Sequence, residues 1–256
     1  MWRKLRIVVL LLILLFVGLN TYFDRVYSTD WDIPLRVGVF PINADGSQVA
    51  ASYIMTVKQE DLAPLEDFFA EEARAHGLAL QHPVRFFLGR PVTQLPPKLD
   101  PKAAPPSVIL WSLRTRYWAW RAPQALPAAP DVHLFVLYHD PARHPVLPHS
   151  VGLQKGLFGI VNAFADSRAD GMNLTICAHE LLHTLGATDK YRLDNDQPQY
   201  PHGFAEPDRE PLYPQAFAEL MGGRIPRSAS EADTPDSLDQ VLIGPLTAAE
   251  IGWKKQ

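Results

Sequence analysis

Residues 35–40, Leu35-Arg36-Val37-Gly38-Val39-Phe40, read as a strand, and Pro41 predicts its end. Over 61–76 the period becomes that of a helix. Asp61 opens it, Leu65, Phe68, Phe69 and Ala73 share one face, and Gly77 closes it. Further strands are predicted at 84–88 and at 132–137, Val132-His133-Leu134-Phe135-Val136-Leu137. Between them come a proline-rich loop over about 91–106 and a stretch at 108–121 rich in Trp, Leu and Arg. That stretch suits a helix or a strand and is read as a helix, with Trp111, Trp118 and Trp120 as core or packing surface rather than a ligand box. His139, His144 and His149 follow among prolines. Their spacing of five suits no metal-binding face of a regular element, so a solvated loop is expected there rather than a second metal site. Residues 157–165 read as a strand and 174–186 as a helix with Ile176, Leu181, Leu182 and Leu185 turned to the core. The rest is irregular up to a short terminal helix, where Thr247 and Glu250 fit a capping box ahead of Ile251 and Trp253. No internal repeat interrupts this order.

Composition adds three constraints. At 256 residues the chain can bury a proper core, and its 24 prolines, roughly twice the usual ~5% share, predict much extended or looped backbone. The net charge is −4, and setting aside Arg3, Lys4 and Arg6 takes the remainder to −7. A body this acidic, with no basic stripe, argues against nucleic acid as a partner. Cys177 is the only cysteine, so no intrachain disulfide can form, and with no basic neighbour it is expected to be an inert core thiol. Arg3, Lys4 and Arg6 precede an apolar run at 7–19, which Asn20, Thr21, Tyr22 and Phe23 extend toward an interface. No good cleavage site follows, so residues 1–25 are expected to act as an uncleaved signal anchor, a single N-terminal span with the following domain outside the cytoplasm.

The chemistry concentrates in Ala178-His179-Glu180-Leu181-Leu182-His183-Thr184-Leu185-Gly186-Ala187-Thr188-Asp189. Helical residues four apart lie almost one above the other, so His179 and His183 can offer two imidazoles to one ion, a donor set that suits zinc. Glu180 sits beside the first of them, where its carboxylate can reach a water on the metal without binding the metal itself. Gly186 can end the helix in a left-handed conformation and turn the chain back, which makes Asp189 a candidate third ligand. Glu206, Glu219 and His202 are the alternatives for that position. Asp194-Asn195-Asp196 reads as a solvated acidic loop rather than a calcium site.

This segment resembles the metzincin metallopeptidases, whose motif is His-Glu-x-x-His-x-x-Gly-x-x-His, with Asp replacing the last His in snapalysin-like and immune-inhibitor-A-like enzymes. Gly186-Ala187-Thr188-Asp189-Lys190-Tyr191 is most similar to the latter. The resemblance implies an α+β zincin fold: a mixed twisted sheet and active-site helix in an N-terminal subdomain, 30–186, then a small irregular C-terminal subdomain, 187–256, ending in a helix. It also implies that Met221, in Glu219-Leu220-Met221-Gly222-Gly223, is the Met-turn residue, and that the strand at 157–165 is the edge strand along which extended substrate pairs. Gly223 departs from the pattern, since several metzincins have tyrosine there. Tyr191 and Tyr213 are the candidates for any oxyanion stabilisation beyond the metal.

The expected activity is zinc-dependent hydrolysis of peptide bonds in a peptide or protein substrate, with His179, His183 and Asp189 holding Zn2+ and Glu180 as general base. Two other readings stand beside it: a non-catalytic zinc-containing extracytoplasmic binding or scaffold protein, and a zinc hydrolase acting on a non-peptide amide. The Glu180 carboxylate favours an enzyme over a purely structural site.

Overall fold

The computed structural model describes residues 29–98, 105–122, 126, 129–154 and 156–253, with Trp2 and Arg6. The apolar run at 7–19 and part of the proline-rich loop, 99–104, lie outside the described residues. Among these residues no helix is long and apolar enough to cross a membrane.

The architecture is mixed α/β, centred on a five-stranded, mostly parallel sheet. Strands β1 (Leu35–Asn43), β2 (Val84–Leu88), β3 (Val132–His139), β4 (Val151–Leu153) and β5 (Phe158–Phe164) are ordered β2-β1-β3-β5-β4, with only β4 antiparallel to its neighbour. Side chains alternate between the two faces, and each face carries its own apolar core. On one, Val37, Val39, Leu134, Val136 and Val161 pack against helices α1 (Gln48–Ile54), α2 (Ala63–Ala75) and α4 (Asp170–Leu185). On the other, Phe40, Ile42, Phe135, Leu137 and Phe158 pack against α3 (Pro105–Arg121), with the Trp118 ring 4.6 Å from that of Phe135.

The sequence pattern locates most of these elements, and the departures have physical causes. Helix α2 buries Leu65, Phe68, Phe69 and Ala73 as the periodicity requires. Strand β1 does not stop at Pro41 but runs to Asn43. A residue's N–H and C=O point to the same side of a strand, and the Pro41 carbonyl accepts from Val92 N at 2.9 Å. The missing N–H therefore faces the flank where the β1–β2 ladder has already ended, at Val39 opposite Leu88, and no ladder bond is lost. The 157–165 strand is not the edge of the sheet. It lies inside, as β5, and the three-residue β4 covers it; so short a strand leaves almost no periodic signal. Of the three tryptophans, Trp118 is buried while Trp120 is exposed.

The chain after Gly186 is less irregular than expected. It contains two small ladders, β6 (Ala218–Glu219) with β9 (Val241–Leu242), and β7 (Ile225–Pro226) with β8 (Ala232–Asp233). It ends in helix α5 (Pro245–Glu250). Thr247 and Glu250 form no capping box there. Gly244 is the N-cap, the Thr247 hydroxyl donates to Glu219, and Glu250 turns away to Lys190 and Thr188.

Leu182 on α4 is fully buried. Leu182→Ala should cost ~2–5 kcal/mol of unfolding free energy in urea titration. Met55→Ala, at an exposed position, should stay within ~0.5 kcal/mol. Equal effects at the two sites would contradict this core.

Candidate metal centre

Helix α4 is fixed at both ends. At its start the Asn173 side chain bridges the end of β5, accepting from Phe164 N and donating to Phe164 O, each at 2.9 Å. At its end Gly186 adopts φ 105°, while Gly186 N donates to His183 O at 3.1 Å and Ala187 N to Leu182 O at 3.0 Å. These paired bonds are a Schellman turn, and the positive φ is the reason for glycine. The reversal carries the Ala187 carbonyl back to His183 Nδ1, at 2.9 Å. The Leu220 carbonyl meets His179 Nδ1 at the same distance.

Both imidazoles therefore donate from Nδ1 to a backbone carbonyl, which leaves both Nε2 atoms as lone-pair donors in the neutral rings. Those two atoms lie 3.0 Å apart. Asp189 Oδ1 stands 3.3 Å from His179 Nε2 and 3.1 Å from His183 Nε2. Among the described residues these three form the one cluster of His, Cys, Asp or Glu ligand atoms close enough to share an ion. Lone pairs and a carboxylate at this separation repel unless protons or a cation lie between them. The residues fit zinc: a tetrahedral site with ligands at ~2.0–2.1 Å has donor–donor edges of roughly 3.3 Å.

The charges around the cluster agree with that geometry. When protons rather than a cation lie between these atoms, burial raises the Asp189 carboxyl, but hydrogen bonds from the charged His179 and His183 rings outweigh it and hold it well below the usual carboxylate range. Burial pushes His179 down, yet the Asp189 hydrogen bond and the Glu180 charge outweigh it and leave the ring above its ordinary value. Burial raises Glu180, and the two histidines offset this only in part. Its Oε2 has no hydrogen-bond partner. Gly152 of β4 passes so close to α4 that a Cβ there would sit 2.4 Å from the Glu180 carbonyl oxygen and 2.5 Å from His183 Cβ.

Beside His179 and Glu180 opens a cleft of about 320 Å³, lined among others by Leu147, His149, Ser150, Met172, Ile176, Tyr191, Leu220, Arg224 and Val241. Tyr191 lines it, with its hydroxyl pushed up to about 12 by burial and the Asp189 charge. Tyr213 does not line it and packs on Phe204 instead. Met221 is fully buried directly after Leu220, and its carbonyl accepts from Lys190 N at 2.8 Å.

The other candidates are engaged elsewhere. Glu219 is fully buried and accepts from Gly222 N at 2.7 Å, Gly244 N at 3.0 Å and the Thr247 hydroxyl at 2.6 Å. It is the brace behind the Leu220 carbonyl, a role its sequence position did not signal. Glu206 pairs with Arg209 at 2.9 Å, and His202 joins no ligand cluster. His139 is not solvated: it is buried at the end of β3, with Nε2 2.8 Å from Asn162 Oδ1. Asp194 and Asp196 pair with Arg192 and Arg224. Cys177 is a buried thiol, pushed up to about 12 by burial.

No protein-family model matches this chain, and no curated protein matches it as a relative.

Asp189 is flanked by a clamp the sequence did not signal. Glu250 on α5 accepts from Thr188 N at 3.0 Å, from the Thr188 hydroxyl at 2.7 Å and from the buried Lys190 ammonium at 2.7 Å. Burial raises the Glu250 carboxyl, but the Lys190 and Thr188 hydrogen bonds outweigh it and hold it below its ordinary value. A carboxylate whose pKa falls on folding stabilises the folded state above its unfolded pKa. That contribution is lost as pH drops through the folded value. Glu250→Gln should therefore melt below wild type at pH 7, with the gap closing as the solution is acidified through the carboxylate range. A pH-independent gap in circular-dichroism melts would contradict the clamp.

Proposed function

We propose that this protein is a zinc-dependent metallopeptidase whose ion is held by His179, His183 and Asp189 and whose general base is Glu180. The observation that carries the reading is the convergence of His179 Nε2, His183 Nε2 and Asp189 Oδ1, 3.0–3.3 Å apart, with both Nδ1 atoms already committed to carbonyls. Zinc bound there supplies Lewis-acid polarisation of the scissile carbonyl and lowers the pKa of a coordinated water toward ~7.

The chain's own groups supply the rest. Glu180 lines the cleft, and its unpartnered Oε2 is free to take a proton from the attacking water and pass it to the departing amine. The protonated Tyr191 hydroxyl is a donor at the same cleft. Strand β4 is the end strand of the sheet and Ser150, the residue before it, lines this cleft, so an extended peptide can add along its outer edge by backbone hydrogen bonds. Met172, Ile176, Leu147 and Val241 give the cleft an apolar wall suited to an apolar side chain of such a peptide. The metzincin likeness of the motif and the buried Met221, next in sequence to the Leu220 carbonyl that bonds His179, support the same family. The basic, apolar N-terminal segment supports a membrane anchor with the catalytic body outside the cytoplasm.

Hydrolysis of a fluorogenic peptide set tests this directly. The zinc-loaded wild type should cleave peptides with apolar side chains. Glu180→Gln should keep its zinc yet lose roughly 10²–10⁴-fold in rate, whereas His183→Ala should lose the metal and the activity together. A Glu180→Gln protein cleaving at the wild-type rate would sink the mechanism.

A further inference from the structure

Helix α3 is apolar on two opposite sides. Trp118 and Ala119 face the sheet and are buried. At 100° per residue, Ile109, Leu110, Leu113, Tyr117 and Trp120 fall within an arc of about 100° on the far side. All five are exposed, Trp120 at 75% and Ile109 at 63%. An apolar stripe of this size on a soluble face marks an interaction surface.

The charges around the stripe indicate what it meets. Arg116 borders it on one side, and Arg114 and Arg121 on the other, while the helix holds no acidic residue. None of the three arginines pairs with a carboxylate among the described residues. This stands out in a chain whose net charge is −4. Arg121 lies over the Tyr117 ring, 6.0 Å from its centroid. Leucine and isoleucine on the outer arc, tryptophan and tyrosine among them and arginines at the borders are the composition of a helix lying in a bilayer interface. The N-terminus adds a second, independent indication. Arg3, Lys4, Arg6 and the apolar run at 7–19 are the composition of a membrane-seeking segment, and the chain between 19 and Thr29 spans at most ~35 Å even when extended.

We infer that the outer face of α3 seats this protein on an anionic lipid surface. The stripe enters the headgroup region, and the exposed Arg114 and Arg121 meet lipid phosphates. Because α3 and α4 pack on opposite faces of the sheet, this contact turns the α4 side, with its His–His–Asp cluster, away from the lipid. The inference does not depend on zinc or on catalysis.

The single cysteine makes the test clean, because Cys177 is buried and escapes labelling. Full-length Leu113→Cys and Met55→Cys proteins, each carrying an environment-sensitive fluorophore, are placed in phosphatidylcholine vesicles with or without phosphatidylglycerol. A headgroup nitroxide lipid serves as quencher. Met55, exposed beyond α1 on the opposite face of the sheet, controls for proximity imposed by the N-terminal segment alone. The label at 113 should shift to the blue and be quenched in the anionic vesicles, less so without phosphatidylglycerol, while the label at 55 stays unquenched. Arg114→Glu with Arg121→Glu should bring quenching at 113 down to the level at 55. Equal quenching at both positions would overturn the inference, as would quenching at 113 that ignores lipid charge and charge reversal. A label at 113 already blue-shifted before lipid is added would show that protein covers the stripe, and would overturn it too.

Discussion

The carbonyls of Leu220 and Ala187 each take the Nδ1 proton of a histidine, and the character of the centre follows from those two bonds. They set the tautomers, so that two lone pairs and a carboxylate oxygen converge within 3.3 Å. A folded chain does not assemble such repulsion for stability. The arrangement costs free energy that a cation at its focus would return as folding stability. Neither carbonyl belongs to a regular part of α4. One exists because Gly186 reverses the chain, the other because a distant segment is held under His179.

The C-terminal chain accordingly serves the helix it packs beneath. Glu219 gathers Gly222, Gly244 and Thr247, which holds the Leu220 carbonyl in place. Glu250 gathers Thr188 and Lys190 on either side of Asp189. Both carboxylates are spent on backbone and side-chain positioning, and this explains why neither joins the His–His–Asp cluster. The sheet contributes from the other side, where Gly152 lets the end strand β4 approach α4 at Glu180.

The pairing of the two helical histidines was legible because its geometry is local. A spacing of four on an amphipathic helix places His179 beside His183 whatever the rest of the fold does. Gly186 announced the reversal, and Asp189 followed from it. The long strands and α2 were legible from periodicity for the same reason. What the sequence hid is tertiary. The three residues of β4 are too few to show a period, so β5 was mistaken for the edge. Thr247 and Glu250 matched a local capping pattern but were recruited by partners 28 and 60 positions away. Glu219 looked like a spare ligand because its three hydrogen bonds come from groups that only the fold brings together. His139 looked solvated because nothing in sequence links it to Asn162. The outer stripe of α3 blurred the helical period, since apolar residues on both sides flatten the contrast on which periodicity depends.

X-ray absorption at the zinc edge of the metal-loaded protein tests the central claim most directly. One zinc per chain, with two imidazole nitrogens and carboxylate or water oxygen at ~2.0–2.2 Å and no sulfur, is the expected spectrum. In Asp189→Ala the two imidazoles should remain while oxygen scattering changes. A metal-free protein under saturating zinc, a shell without imidazole, or a sulfur distance near ~2.3 Å would contradict a site built from His179, His183 and Asp189.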